Sequence, residues 1–385
     1  MIVSPLGILA TLAGVASFFH FLEKTTRWKL FDLFPPLLFI YGVPLLLSNT
    51  GVMSNKSPLY GWMSDTVLPM FLILMLLQVD VAEAVRVMGK GILVLLFGTA
   101  GVILGAPLAY LLVKTHLGPE GWKAFGVLAG SWIGGTGNMA AVSEGLRIAP
   151  ADFGLAVLAD ALVYLVWLPV LLGSRSCARW FSRFARVDPR RIEMLERSSG
   201  ELSGEQAKPE MRHVLYLLFL GLFFPWVSDA MSGWLPTAEP VLDSNSWSIL
   251  LTTTFGILLS MTPAKQIPGS RPLAAALVIL FVANMGARAD LSGLAQRAPW
   301  FLLGAFIWIG LHGACCVCGA RLFRVDIHST AIASAANIGG IASAPIVAAY
   351  HNQKLVPVSI LMALLGYAIG NYGAFFAAWL CYLAS

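Results

Sequence analysis

Gly130-Ser131-Trp132-Ile133-Gly134-Gly135-Thr136-Gly137-Asn138 interrupts an otherwise apolar segment with four glycines and three small polar side chains. No ordinary membrane-spanning helix has this composition. Glycine weakens a helix interior, and backbone freed at membrane depth survives only where protein buries it or where it lines a cavity. About 205 residues later the pattern returns as Ala335-Ala336-Asn337-Ile338-Gly339-Gly340-Ile341-Ala342-Ser343. Paired glycine-interrupted apolar segments in two halves of a chain point to the binding site of a transporter.

The surrounding composition sets the class. Of the 385 residues, 58% are hydrophobic and only 12% charged, about half the charged share of a soluble domain. Mean hydropathy is +0.77. A span needs roughly 20 apolar residues, so there is room for ten or more crossings. Apolar runs fall near 4–22, 31–48, 61–78, 91–113, 121–146 and 151–173, then 214–231, 247–262, 273–287, 300–320, 327–350 and 357–383. The first run has no basic residue before it and no cleavage pattern, and reads as a span rather than a signal peptide. The net charge of +5 comes from loops, where it sets orientation and implies no nucleic-acid partner.

These runs predict an all-α polytopic membrane protein. Residues 1–173 form a first repeat, 174–212 a basic cytoplasmic linker and 213–385 a second, inverted repeat. The linker is read as solvated, or as carrying an interfacial helix with Trp180, Phe181 and Phe184 toward lipid. In both halves the third run ends at an aspartate, Asp80 or Asp290. Asp80 has capping-box spacing to Glu83, so both are read as helix caps.

Each repeat has about five crossings and a glycine-broken segment, either a re-entrant hairpin or a discontinuous helix. With hairpins and an outside start, 19 of the 25 Lys and Arg fall inside. Lys56, Lys114, Lys123, Arg147, Arg288 and Arg297 stay outside. Full crossings with an inside start divide them 16 to 9. The excess of basic residues inside favours hairpins.

A hairpin at mid-membrane presents free carbonyls near Ser131-Trp132-Ile133, suited to a cation, and free N–H groups near Asn138-Met139-Ala140, suited to an anion. Asn138 and Ser343 are read as the caps of the returning limbs. The expected solute-binding residues are Ser131, Gly134, Gly135, Thr136, Gly137, Asn138, Asn337, Gly339, Gly340, Ser343 and Asn371. Asn371 serves equally as a fastener between helices. Asp160, the deepest carboxylate in an apolar run, is the expected coupling residue for sodium or a proton, with Tyr164 one turn on. Structural pairing with a hydroxyl is the alternative for Asp160, and close helix packing the alternative for the glycines.

Other chemistries find less support. Gly134-Gly135-Thr136-Gly137-Asn138 lacks the Gly-Lys-Ser/Thr of a phosphate loop. Cys315, Cys316 and Cys318 with His312 lack a second ligand pair at zinc spacing, so no metal and no cofactor is expected. His-Glu-x-x-His is absent, and no histidine lies near Ser131 or Ser343 in sequence, so the chain is not read as an enzyme.

Ile133-Gly134-Gly135-Thr136-Gly137-Asn138 with Asp160, then Ala336-Asn337-Ile338-Gly339-Gly340 and Gly366-Tyr367-Ala368-Ile369-Gly370-Asn371-Tyr372, resemble the bacterial membrane family called domain of unknown function 819. The likeness covers nearly the whole chain. More distantly, Gly134-Gly135-Thr136-Gly137 is similar to the hairpin motif of sodium-coupled citrate and glutamate carriers. The second half departs from it with Gly339-Gly340-Ile341-Ala342. That likeness implies two inverted five-helix repeats in a homodimer working by an elevator motion.

The functional expectation is a secondary transporter in the bacterial inner membrane, moving a small anionic or zwitterionic organic solute with sodium or protons. A cation/proton antiporter using Asp160 is the alternative. An intramembrane enzyme and a channel rank behind them.

Overall fold

Helices account for every long element. The computed structural model describes residues 1–26, 28, 31, 36–188, 208–289 and 294–385. Linker residues 189–207 and the expected cap Asp290 lie outside these residues.

The first set of helices is α1 (Pro5–Thr26), α2 (Pro36–Asn49), α3 (Pro58–Leu76), the short α4 (Val81–Met88), α5 (Gly91–Val113), α6 (Gly121–Gly145) and α7 (Pro150–Gly173). After α8 (Ala178–Ala185) come α9 (Met211–Ser232), α10 (Ser244–Ser260), α11 (Ser270–Arg288) and α12 (Leu294–Phe323). The chain ends in α13 (Ile327–Ile338), α14 (Gly340–His351) and α15 (Val356–Leu383). Each of the twelve apolar runs coincides with one of these helices or, at 327–350, with the pair α13 and α14. Eight helices among the described residues are long and apolar enough to cross a membrane. The chain is an all-helical membrane protein.

Local signals behave as the sequence predicts. The Asp80 carboxylate accepts from the Glu83 N–H at 2.9 Å and caps α4. In α8, Trp180 is exposed but Phe181 is buried against the protein, so only part of its aromatic face is free.

Helix α3 packs antiparallel to α11, and α5 antiparallel to α12. Phe71 of α3 meets Phe281 of α11, while Arg288 at the far end of α11 reaches Ser64 near the start of α3. Gly105 of α5 faces Trp308 of α12, and Gly98 faces Cys316. Between two helices in lipid the attraction is van der Waals contact, so small residues bring the backbones close. A methyl on Gly101 would stand 2.7 Å from Cys315 Cβ and force them apart. Cys315 and Cys316 thus lie in this packing seam.

The two glycine-rich segments both reverse direction. Gly135 has φ 73° and ψ −173°, a region essentially closed to residues with a side chain. Across this turn Gly130 lies against the backbone of Asn138 and Met139, and Gly126 against Leu146. Helices α13 and α14 fold back at Gly339 and Gly340, the latter at φ 58°. Their outer ends meet where His328 and His351 come together at 3.0 Å.

The turns sit elsewhere than the cap positions inferred from sequence. Asn138 lies within the helix three residues past the break, and Ser343 lies in the first turn of α14 behind Gly339 as cap. At Gly135 the turn falls where only glycine can adopt the backbone angles, and this outweighs the capping preference of Asn138.

Candidate functional site

The two turns meet. A side chain begun on Gly340 would lie 3.8 Å from Gly135 Cα, and both glycines face the ring of Tyr367. Tyr367 is held by its own backbone: its carbonyl accepts from Asn138 Nδ2 at 3.0 Å. Ring and turns together wall a cavity of about 350 Å³.

Ser131, Gly135, Thr136, Gly137, Asp160, Gly339 and Gly340 line this cavity. Tyr367, Gln78 and Arg271 complete its polar surface, and Leu37, Met75, Val278, Ile279, Ile338 and Ile341 its apolar walls. An adjoining cavity of about 290 Å³ shares Thr136, Asp160 and Gly339 and adds Tyr164 and Ser343. Asp160 therefore borders both spaces.

Asp160 accepts a hydrogen bond from Trp132 Nε1 at 3.0 Å, and the Ser131 hydroxyl also lies on its carboxylate. Trp132 is itself fixed, buried completely against Trp308 with ring centroids 4.6 Å apart. No cationic side chain among the described residues pairs with Asp160. A carboxylate in such surroundings is stabilised by a bound cation or by a proton. The Tyr164 hydroxyl is buried beside Ser343 without a hydrogen bond of sound geometry, which leaves a further oxygen facing this region.

The three asparagines of the sequence motifs do not line either cavity. Asn138 holds Tyr367 and leaves Oδ1 buried without a partner. Asn337 donates to the Leu95 carbonyl at 3.2 Å and accepts from Thr99 at 3.4 Å. Asn371 donates to Thr253 Oγ1 at 2.7 Å. Gly134 packs against the Asn138 side chain. His312 pairs with Ser334 at 2.9 Å and with the Gly98 carbonyl at 3.0 Å, away from Ser131 and Ser343.

Trp132, Arg271 and Gln78 are site residues that sequence reasoning did not single out, and Tyr367 entered only as part of a motif. Arg271 opens α11, at the end of the run that follows the loop with Lys265, and read as an orientation-setting loop charge. Only the approach of α11 to the two turns places it at the cavity.

Helices on all sides, a carboxylate and a guanidinium at the edge of a largely apolar cavity and a broken backbone at its wall define a polytopic membrane protein with a cavity between its helices. The chain belongs to the family described as Protein of unknown function (DUF819), whose model matches residues 8–383. It is similar to the Uncharacterized membrane protein YjcL of Bacillus subtilis (strain 168), 27% identical over 346 residues, which is 87% of each chain.

Proposed function

We propose that the protein is a secondary active transporter of a small organic anion or zwitterion, coupled to sodium or protons through Asp160, in the bacterial cytoplasmic membrane. The observation that carries this reading is the meeting of Gly135 and Gly340 at a cavity bordered by Asp160. Broken backbone at membrane depth supplies free carbonyls and N–H groups, which bind a cation and an anion with few formal charges.

In this reading the two reversals are re-entrant hairpins of inverted repeats. The antiparallel packing of α3 with α11 and of α5 with α12 supports it, since inversion makes corresponding helices antiparallel. Polar contacts also join segments that the basic-residue distribution puts on one side. Lys114 reaches the Ala384 carbonyl at 2.6 Å and Arg147 reaches Asp243 at 3.1 Å, all on the outer face. Arg175 donates to the Tyr350 carbonyl at 2.6 Å on the inner face. The first hairpin then enters from outside and the second from inside, and their tips touch at the centre. An elevator motion of a homodimer is the transport mode we propose.

A thermal-shift screen of the purified protein tests this. Carboxylates, amino acids and dipeptides are compared with and without sodium, at two pH values. A ligand at a hundred times its dissociation constant stabilises by about 2.7 kcal/mol. A solute shift that depends on sodium or on pH supports the reading, and its absence across the screen speaks against it.

A further inference from the structure

We infer that Arg271 receives the negative charge of the solute, and that the solute is a small organic monoanion, a carboxylate with an apolar body. The assignment rests on the transport reading above and adds to it a residue and a substrate class.

Arg271 is the one cationic side chain lining the central cavity among the described residues. Together with Gln78 it also lines a vestibule of about 500 Å³ beside the cavity, so these two side chains stand where the spaces join. The other charges of the vestibule are already matched. Lys265 is paired with Asp80 at 2.5 Å, and Glu83 with Arg86 at 3.6 Å. Arg271 forms no ion pair with any described residue. An anion entering from this side therefore meets one uncompensated positive charge, placed at the threshold of the cavity.

The chemistry of the group narrows the ligand. A guanidinium offers a planar fork of donors that matches the two oxygens of a carboxylate. Beyond it the walls are Met75, Val278, Ile279 and Ile341, which suit hydrocarbon. The cavity's one carboxylate, Asp160, is held by Trp132, and in the transport reading the coupling ion neutralises it. A second negative charge on the solute would find no second cationic side chain among the described residues of the cavity to pair with. One cation and apolar walls select one carboxylate and an apolar body.

The test uses full-length purified protein and three probes of similar size: 4-methylpentanoate, its neutral amide 4-methylpentanamide, and the dianion glutarate. In a thermal-shift titration the monocarboxylate should bind best. Arg271→Gln should weaken it by about 10- to 100-fold, the loss expected for a charge-assisted hydrogen bond. Arg271→Lys, which keeps the charge but not the fork, should fall between the two. Because Arg271 is exposed at a helix start, both variants should remain monodisperse.

Equal binding of 4-methylpentanoate to wild type and Arg271→Gln would overturn the assignment. So would preference for the amide or for glutarate, or the absence of any shift with all three probes. Gly135→Ala separates this failure from that of the transport reading. If it abolishes a shift caused by the amide or glutarate, the site at the two turns stands and only the monoanion class falls. If it leaves every shift intact, both fall.

Discussion

Gly135 and Gly340, far apart in sequence, meet at one cavity, a Cβ built on Gly340 standing 3.8 Å from Gly135 Cα, and the backbone angles of Gly135 exclude a side chain. Both have positive φ, 73° and 58°. A Cβ on Gly135 would also press on Tyr367 Cε1 at 3.2 Å. Gly135→Ala should cost about 1–3 kcal/mol of stability and weaken solute binding further by displacing Tyr367. Gly310→Ala is the control, since open space surrounds that glycine. It should leave melting temperature and binding unchanged or slightly improved. Equal behaviour of the two variants in melting and binding would show that the turn at Gly135 is not required.

Asp160→Asn keeps the shape of the side chain and an oxygen for the Trp132 indole N–H, 3.0 Å away in the native protein. Expression and monodispersity should hold. Any stabilisation of the solute complex by sodium or by acid should disappear. Retained ion dependence in this variant reduces Asp160 to a packing residue.

How much of this was legible in sequence differs between the helices and the site. Twelve apolar runs marked the helices because burial in lipid demands long apolar stretches. The breaks were legible because Gly134-Gly135 and Gly339-Gly340 stand out in such stretches. The start of the returning limb is what the sequence misplaces, to Asn138, since capping preference is a local rule and the break at Gly135 follows from the reversal. Asn138, Asn337 and Asn371 show the limit more clearly. Their type marks a polar interior, but whether each faces a cavity or a neighbouring helix depends on tertiary packing. Arg271 carried no local signal at all.

Topology is open to a labelling experiment. Single cysteines replacing Lys56 and Arg86, in a background without the exposed Cys177 and Cys318, should react with an impermeant thiol reagent from opposite faces. Position 56 should label from outside and position 86 only from inside. Reaction of both from the same face contradicts the hairpin topology.

The ion pair of Asp80 with Lys265 gives a pH dependence outside the membrane. Burial raises the Asp80 carboxyl, but the Lys265 hydrogen bond, the Glu83 N–H and the positive charges of Lys265 and Arg86 outweigh this and hold it below the usual carboxylate range. A depressed carboxylate stabilises the fold above its unfolded value and loses that contribution as pH falls through its folded value. Both partners are partly exposed, so water screens the pair and it is worth at most about 1 kcal/mol. Asp80→Asn, which retains the cap, should lower the melting temperature slightly at neutral pH. The gap to wild type should close below about pH 4. A gap that widens on acidification contradicts this account of the pair.

The central claim is tested most directly by solute accumulation in proteoliposomes under an imposed sodium or proton gradient. Wild-type protein should concentrate the solute identified by thermal shift, and collapse of the gradient should release it. Gly135→Ala and Asp160→Asn vesicles, reconstituted at equal density, should accumulate little. Equal accumulation by all three proteins, or accumulation indifferent to both gradients, would contradict a coupled transport site at the meeting of Gly135 and Gly340.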